Sequence, residues 1–194
     1  MKIYNRPVFQ YAYFVNDIDE ACMNWVKVTG AGPFFRVWHH TVHNDKRGYF
    51  RYRGVEEESD VSYAFAYCGP VQIQLIQQHD DKPSIYTEMF KKGQEGFHHV
   101  GILSAEFERD KADLIEKGLD LAVEMWAVAD VIYLNAVKQL GCFVEVHGDN
   151  EDIRNVFKNW KHARSPCVNR RISTSPPRGA AEGERPLRSG SAAG

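Results

Sequence analysis

The chain has 194 residues, 43% of them hydrophobic, and a formal net charge of −2. That length suits one domain, or two small modules sharing a core, and the scattered basic residues leave no basic face for a nucleic acid. No apolar run approaches the roughly 18–20 residues that a membrane span needs. The first residues hold neither an apolar segment nor a small-residue cleavage site, so no secretory leader is expected. Cys22, Cys68, Cys142 and Cys167 lie far apart with no C-x-x-C pair, the pattern of reduced thiols in a cytoplasmic protein.

Residues 7–15 are aromatic and β-branched and read as a strand. Asn16 and Asp17 supply cap chemistry for a helix over 18–29, where Ile18, Ala21, Cys22, Trp25 and Val28 recur at helical spacing until Gly30. A second strand is predicted over 34–42, a long polar loop or hairpin over 44–58, and two further strands over 61–67 and 71–77 around the turn pair Gly69-Pro70. A charged connection and a short helix within 83–92 follow.

A similar series then begins again. Residues 97–103 read as a strand and 107–116 as a helix closed by Lys117-Gly118; 121–128, 131–136 and 142–147 read as strands. Residues 151–162 form a terminal amphipathic helix, with Ile153, Val156, Phe157 and Trp160 on one face. From Ser165 onward Arg, Ser, Pro, Gly and Ala dominate without apolar periodicity, which predicts a disordered tail.

The order strand, helix, strand, strand, strand therefore occurs twice, and a repeat of this size sets the architecture. The expected fold is α+β: two tandem βαβββ modules forming a curved mixed sheet around a concave site. Residues 1–80 make the first module, 81–95 connect, 96–163 make the second with its terminal helix, and 164–194 form the tail. Helices outside would leave the concave sheet surface between the modules for a ligand.

Alternate residues of a strand share a face. The sets facing the concavity are then Gln10, Ala12 and Phe14; Gln72, Gln74 and Ile76; His99, Gly101 and Leu103; and Phe143, Glu145 and His147. Each set carries at least one polar side chain among small or apolar neighbours. Burying such groups is costly without partners, which a metal ion or a bound ligand would supply.

The openings Phe9-Gln10-Tyr11-Ala12-Tyr13-Phe14-Val15-Asn16-Asp17 and His98-His99-Val100-Gly101-Ile102-Leu103 resemble the two module starts of the vicinal oxygen chelate (glyoxalase/bleomycin resistance/dioxygenase) superfamily. The runs Val71-Gln72-Ile73-Gln74-Leu75-Ile76-Gln77 and Gly141-Cys142-Phe143-Val144-Glu145-Val146 resemble its module ends. The resemblance spans residues 7–162 and is nearest to methylmalonyl-CoA epimerase-like and glyoxalase-like members. It implies a metal site of Gln10, Gln74, His99 and Glu145. The epimerases use His, Gln, His, Glu, from which this chain departs at Gln10; some glyoxalase I enzymes use Gln, Glu, His, Glu, from which it departs at Gln74. An extradiol dioxygenase would need histidine in place of Gln10.

One imidazole, one carboxylate and two amide oxygens can hold a divalent ion (Co, Mn, Ni, Zn or Mg) with positions open for substrate. The resemblance then implies an isomerase or epimerase moving a proton next to a carbonyl of a small acyl or CoA-type substrate, with Glu145 as the catalytic proton shuttle. A glyoxalase I-like lyase is one alternative, and a metal-free binding protein of the bleomycin-resistance type another. A single carboxylate predicts weak metal retention. Homodimers are common in the superfamily, so a homodimer is among the expected assemblies, with neither nucleic acid nor membrane as partner.

Other polar residues receive plainer readings. His39 and His43 share a strand face opposite His40, which suits a pocket wall or surface better than a second metal site. Glu56-Glu57-Glu58 reads as a solvated run, and Trp25 and Trp160 as helix-packing anchors. The segments 44–58 and 83–92 are placed at the pocket mouth.

Overall fold

The computed structural model describes residues 6–40 and 48–162. Val8–Phe14 forms strand β1, and Asp17 then caps helix α1 (Ile18–Thr29) by accepting hydrogen bonds from the Asp19 and Glu20 amides. Gly30 closes that helix with φ of 72°, a left-handed conformation that glycine adopts without penalty. Strands β2 (Phe35–His40), β3 (Phe50–Tyr52), β4 (Val61–Cys68) and β5 (Val71–Gln78) complete the first series, and α2 (Ile85–Met89) follows it.

The second series runs β6 (Gly96–Ser104), α3 (Phe107–Glu116), β7 (Asp120–Ala127), β8 (Ala129–Ala136), the single turn α4 (Val137–Leu140), β9 (Cys142–Gly148) and α5 (Glu151–His162). Its helices α3 and α5, like α1 in the first series, have the bounds that their spacing predicts. The short strand β3 falls inside the stretch read as a loop or hairpin, and it pairs with β7 of the other series. Three residues are too few to show a period of two, so its pairing decides its structure. Cys22, Cys68 and Cys142 carry free thiols. Cys167, His43 and the tail from Ser165 lie outside the described residues.

The nine strands among the described residues join one mixed sheet in the order β2-β4-β5-β1-β6-β9-β8-β7-β3. β1 and β6 meet antiparallel at its centre, and each is flanked by the last strand of its own series running parallel to it. This is the expected curved sheet of an α+β fold. On its outer face, α1 buries Ile18 and Cys22 against Ala64, Ala66, Ile73 and Leu75. Helix α3 likewise buries Leu114 against Ile102, Ile132, Leu134 and Val146.

The inner face is less open than alternating strands and outer helices suggest. Ile85 and Tyr86 of α2 pack into it against Ala12, Ile76, Tyr133 and Phe143. At the other end α5 lays Trp160 on Phe65, ring centroids 4.5 Å apart, and Phe157 on Phe9 at 5.0 Å. Trp160 is therefore the packing anchor that its sequence context suggests, but it packs onto the face expected to stay open. Trp25 packs beside Tyr13 on the outer face. None of the described helices is long and apolar enough to cross a membrane.

Candidate functional site

Two rungs of the sheet carry the polar residues. One runs Tyr67, Gln72, Gln10, Gly101, Glu145, Tyr133, and the next runs Phe65, Gln74, Ala12, His99, Phe143, Asn135. The smallest side chains, Ala12 and Gly101, stand at the middle, so the longer ones on either side reach over open backbone. A Cβ added at Gly101 would lie 2.7 Å from Gln10 Oε1 and 3.2 Å from Glu145 Oε2, which places both oxygens above that glycine. The absent side chain is what leaves them room.

Gln10, Gln74, His99 and Glu145 are all buried, with no more than 4% of any of them exposed. Gln10 Oε1, Gln74 Oε1, His99 Nε2 and Glu145 Oε2 each lack an aligned hydrogen bond. An unpaired buried polar atom ordinarily costs about 1–3 kcal/mol, so the two glutamine oxygens on adjacent rungs call for a partner. Gln10 is held by its other end: its Nε2 donates to Gln72 Oε1 at 2.6 Å, and Gln72 Nε2 donates to the Tyr67 hydroxyl at 3.1 Å. The Tyr67 hydroxyl donates in turn to the Phe157 carbonyl of α5 at 3.4 Å.

Glu145 is the single carboxylate of the set. Tyr133 donates its hydroxyl to Oε1, while Oε2 lies 3.3 Å from His99 Nε2 and 3.0 Å from His147 Nε2. Burial is the largest influence on this carboxyl and would raise its pKa, but His147 and His99 together outweigh it and hold the group well below the ordinary carboxylate range. It is therefore ionised at neutral pH. Burial, reinforced by the charge of Glu145, holds the Tyr133 phenol well above its usual pKa, so it stays a donor.

Strict alternation hides part of this site. β1 and β6 carry register shifts where they pair, at Val8/Gln10 and at Ala12/Tyr13, leaving Phe9 and His98 as the extra residues of two bulges. Each extra side chain reaches inner-face partners: Phe9 meets His147 at 5.7 Å and His98 stacks on Phe143 at 4.9 Å. His98 and Tyr133 are thus neighbours of the site that residue type and alternation did not single out, and His147 is one that alternation put on the concave face without a role. Nothing short of the pairing register locates the bulge at His98.

A cavity of about 20 Å³, room for about one water, lies beside the site beneath α2. His40, Tyr63, Ser84, Tyr86, Met125 and Tyr133 are among its walls, and Glu57 and Glu58 stand at its rim. His40 thus takes the pocket-wall role expected of it, and burial lowers its pKa, leaving the ring neutral at pH 7. Burial likewise pushes Tyr63 up to about 12. His39 instead engages Asp60, at 2.7 Å from Nδ1, outside this cavity. Both 83–92 and the described part of 44–58 contribute to the cavity walls, as their placement at a pocket mouth anticipates.

These residues are chemically able to hold a hard or borderline divalent ion: one imidazole nitrogen, one carboxylate oxygen and two amide oxygens, none with an aligned hydrogen bond. Among the described residues no group of three or more His, Cys, Asp or Glu has metal-binding geometry. The fit therefore depends on the two glutamine oxygens.

A curled sheet built from two βαβββ series, with a polar cluster at the seam of its two central strands, defines the class. The chain belongs to the glyoxalase/bleomycin resistance protein/dioxygenase superfamily, whose family model matches residues 9–132. That match takes in Gln10, Gln74 and His99 and stops before β9, which carries Glu145. A comparison with curated protein sequences found no match.

Similar solved structures include a hypothetical protein of Bacillus halodurans C-125, with 17% identity and a TM-score of 0.55 over 75% of this chain and 96% of that one. A methylmalonyl-CoA epimerase in complex with methylmalonyl-CoA and NH4+ has 17% identity and a TM-score of 0.54, over 76% of this chain and 96% of that one. A Streptomyces coelicolor methylmalonyl-CoA epimerase variant, in complex with 2-nitronate-propionyl-CoA, has 18% identity and a TM-score of 0.52, over 74% and 96%. At such identities the likeness establishes the shared fold.

Proposed function

We propose that this protein is a metal-dependent isomerase or epimerase that moves a proton on the carbon beside a carbonyl of a small acyl or CoA-type substrate. The observation that carries this reading is the set of four buried side-chain atoms without an aligned hydrogen bond on Gln10, Gln74, His99 and Glu145. A divalent ion held by those four would polarise the substrate carbonyl and favour negative charge on its oxygen. Glu145 is ionised and would take the proton from a place in or beside the coordination shell, while Tyr133 fixes Oε1 and sets the direction of the other oxygen. Tyr133 also lines the cavity beneath α2. Burial of the whole set keeps water from the charge that develops there.

The free thiols of Cys22, Cys68 and Cys142 support a reducing, cytoplasmic setting for this activity. Acyl-CoA thioesters are the first substrates to try, because two structural neighbours hold them or their analogues. Deuterium uptake next to the thioester carbonyl, followed by mass spectrometry in heavy water, tests the reading. Metal-loaded parent protein is expected to exchange that position, and Glu145→Gln to slow it by roughly 100- to 10,000-fold. Equal exchange by parent and variant would refute the role of Glu145.

One observation favours a metal-free binding protein instead. The Glu145 charge already has His99, His147 and Tyr133 close by. In that reading the glutamines and His99 hydrogen-bond a ligand, and neither exchange nor metal retention is expected.

A further inference from the structure

The concave face brings two side-chain oxygens to one point. A Cβ built on Gly101 would meet Gln10 Oε1 at 2.7 Å and Glu145 Oε2 at 3.2 Å, so both acceptors crowd the space above that glycine. A glutamine amide carries an oxygen that accepts and an NH2 group that donates, on a planar end of nearly symmetric shape. Left to these surroundings, Gln10 would turn its NH2 group toward the Glu145 oxygen and gain a hydrogen bond. It is held the other way round.

What holds it runs along one rung of the sheet, from Tyr67 through Gln72 to Gln10, as the β4–β5 and β1–β5 registers align them. Counting hydrogens from the far end fixes the sense of the chain. The Phe157 backbone carbonyl of α5 only accepts, so the Tyr67 hydroxyl, 3.4 Å away, points its single hydrogen there. That hydroxyl must then accept from Gln72, whose Nε2 lies 3.1 Å from it. Gln72 Oε1 is left facing Gln10, and an oxygen is satisfied only by a donor: Gln10 Nε2, at 2.6 Å. Gln10 Oε1 is the end that remains, without an aligned hydrogen bond. Gln72 is wholly buried and Gln10 only 2% exposed, so water offers neither amide another partner.

We propose that Gln72 and Tyr67 are positioning residues: anchored on the Phe157 carbonyl, they hold the Gln10 amide with its oxygen toward Gly101 and so make the space above that glycine a place for a divalent cation. The inference deepens the proposed function and rests on it for its purpose, because a divalent ion is the partner that two converging oxygens suit.

Helix α5 sets the direction of the whole relay. Trp160 packs on Phe65 and Phe157 on Phe9, which fixes the helix over this end of the sheet and brings its carbonyl to Tyr67. The helix that covers the concave face thus also decides, through one backbone oxygen, which end of a side chain on the floor faces the site.

The test is NMR on the full, isotope-labelled chain, stripped with chelator and held at neutral pH. In the parent, the Gln10 side-chain amide protons are expected to lie close to the Gln72 side chain and to show no short-range contact with the Gly101 α-protons. Tyr67→Phe keeps the ring and removes the hydroxyl; Gln72→Leu keeps an apolar branch of similar length and removes the amide. Each is expected to let the Gln10 amide turn, bringing its protons into contact with the Gly101 α-protons, and to weaken Zn²⁺ binding by about 10- to 100-fold. A merely structural role would lower stability and leave those contacts unchanged. Contact between the Gln10 amide protons and Gly101 in the parent would overturn the proposal, whatever the variants do. So would the parent pattern in folded Tyr67→Phe and Gln72→Leu. If the contacts change as expected but the parent takes up no Zn²⁺, the orienting role stands and the metal-dependent reading fails instead.

Discussion

The two halves of the site share a geometry and differ in chemistry. Across the β1–β6 seam Gln10 corresponds to His99, Ala12 to Gly101, Gln74 to Glu145 and Phe65 to Tyr133, each pair holding equivalent places in the register of its own series. The first half offers two neutral amides beside a phenylalanine. The second offers an imidazole and a carboxylate, with a tyrosine hydroxyl on the carboxylate. A duplicated backbone thus brings equivalent positions to one seam, Gln10 opposite Gly101 and Ala12 opposite His99, while the charge and the mobile protons of the candidate set are concentrated on one side. On this account the first half orients and fills coordination positions, and the second does the proton chemistry.

The comparison breaks most severely at Glu145. Glu145→Ala leaves the Tyr133 hydroxyl without its acceptor and two histidines facing an empty place, and truncating one partner of a buried charged pair costs about 3–5 kcal/mol. Urea unfolding should register that loss, whereas Gln74→Ala, its neutral counterpart, should cost less. Equal costs would mean that the halves are not distinguished by charge.

Gly101→Ala comes next. Its methyl group would meet Gln10 Oε1 at 2.7 Å and Glu145 Oε2 at 3.2 Å, so the expected outcome is a folded protein, destabilised by about 1–3 kcal/mol, with metal uptake lost. Undiminished uptake would show that the space over Gly101 is not the binding place.

Gln10→His sharpens the contrast from the other side by giving the first half an imidazole. Tighter Zn²⁺ binding, by roughly tenfold or about 1.4 kcal/mol, is expected in a competition titration. Weaker binding would mean that the amide is needed in its present orientation.

The smallest expected effect lies away from the seam, at Asp110 in α3, where Arg6 and Ser104 contact the carboxyl. Burial, the largest influence, would raise its pKa, but Arg6 and Ser104 together bring it below the ordinary value. The group therefore contributes stability above its unfolded pKa of about 3.9, and that contribution disappears as pH falls through the folded value. Asp110→Asn should cost about 1 kcal/mol at pH 7, with the gap from the parent narrowing below about pH 4. A gap independent of pH would separate the site's electrostatics from nothing in particular and would remove Asp110 as a charge-dependent contact.

The sequence displayed the fold wherever periodicity was long enough to read. Helix α1 starts at an Asp17 cap and ends at Gly30, and the doubled strand–helix–strand order is what the sheet joins together. Strand β3 escaped because its pairing partner is β7 of the other series, beyond any local pattern. In the candidate site, alternation put Gln10, Gln74, His99 and Glu145 on the concave face, and the resemblance to the superfamily singled them out as a set. His98 did not emerge in this way, because a bulge cancels alternation at that residue. Tyr133 did not, because its importance lies in a contact with Glu145 across two strands. The covering of the inner face by α2 and α5 is likewise a tertiary fact, set by which aromatic rings Tyr86 and Trp160 find to pack on.

The most direct measurement is the metal content of gently purified protein before and after divalent ions are added back, for the parent beside His99→Ala and Glu145→Ala. The account predicts close to one ion per parent chain and its loss from both variants. No retained ion in the parent, or undiminished retention in the variants, would contradict it and leave the concave face as a metal-free binding site.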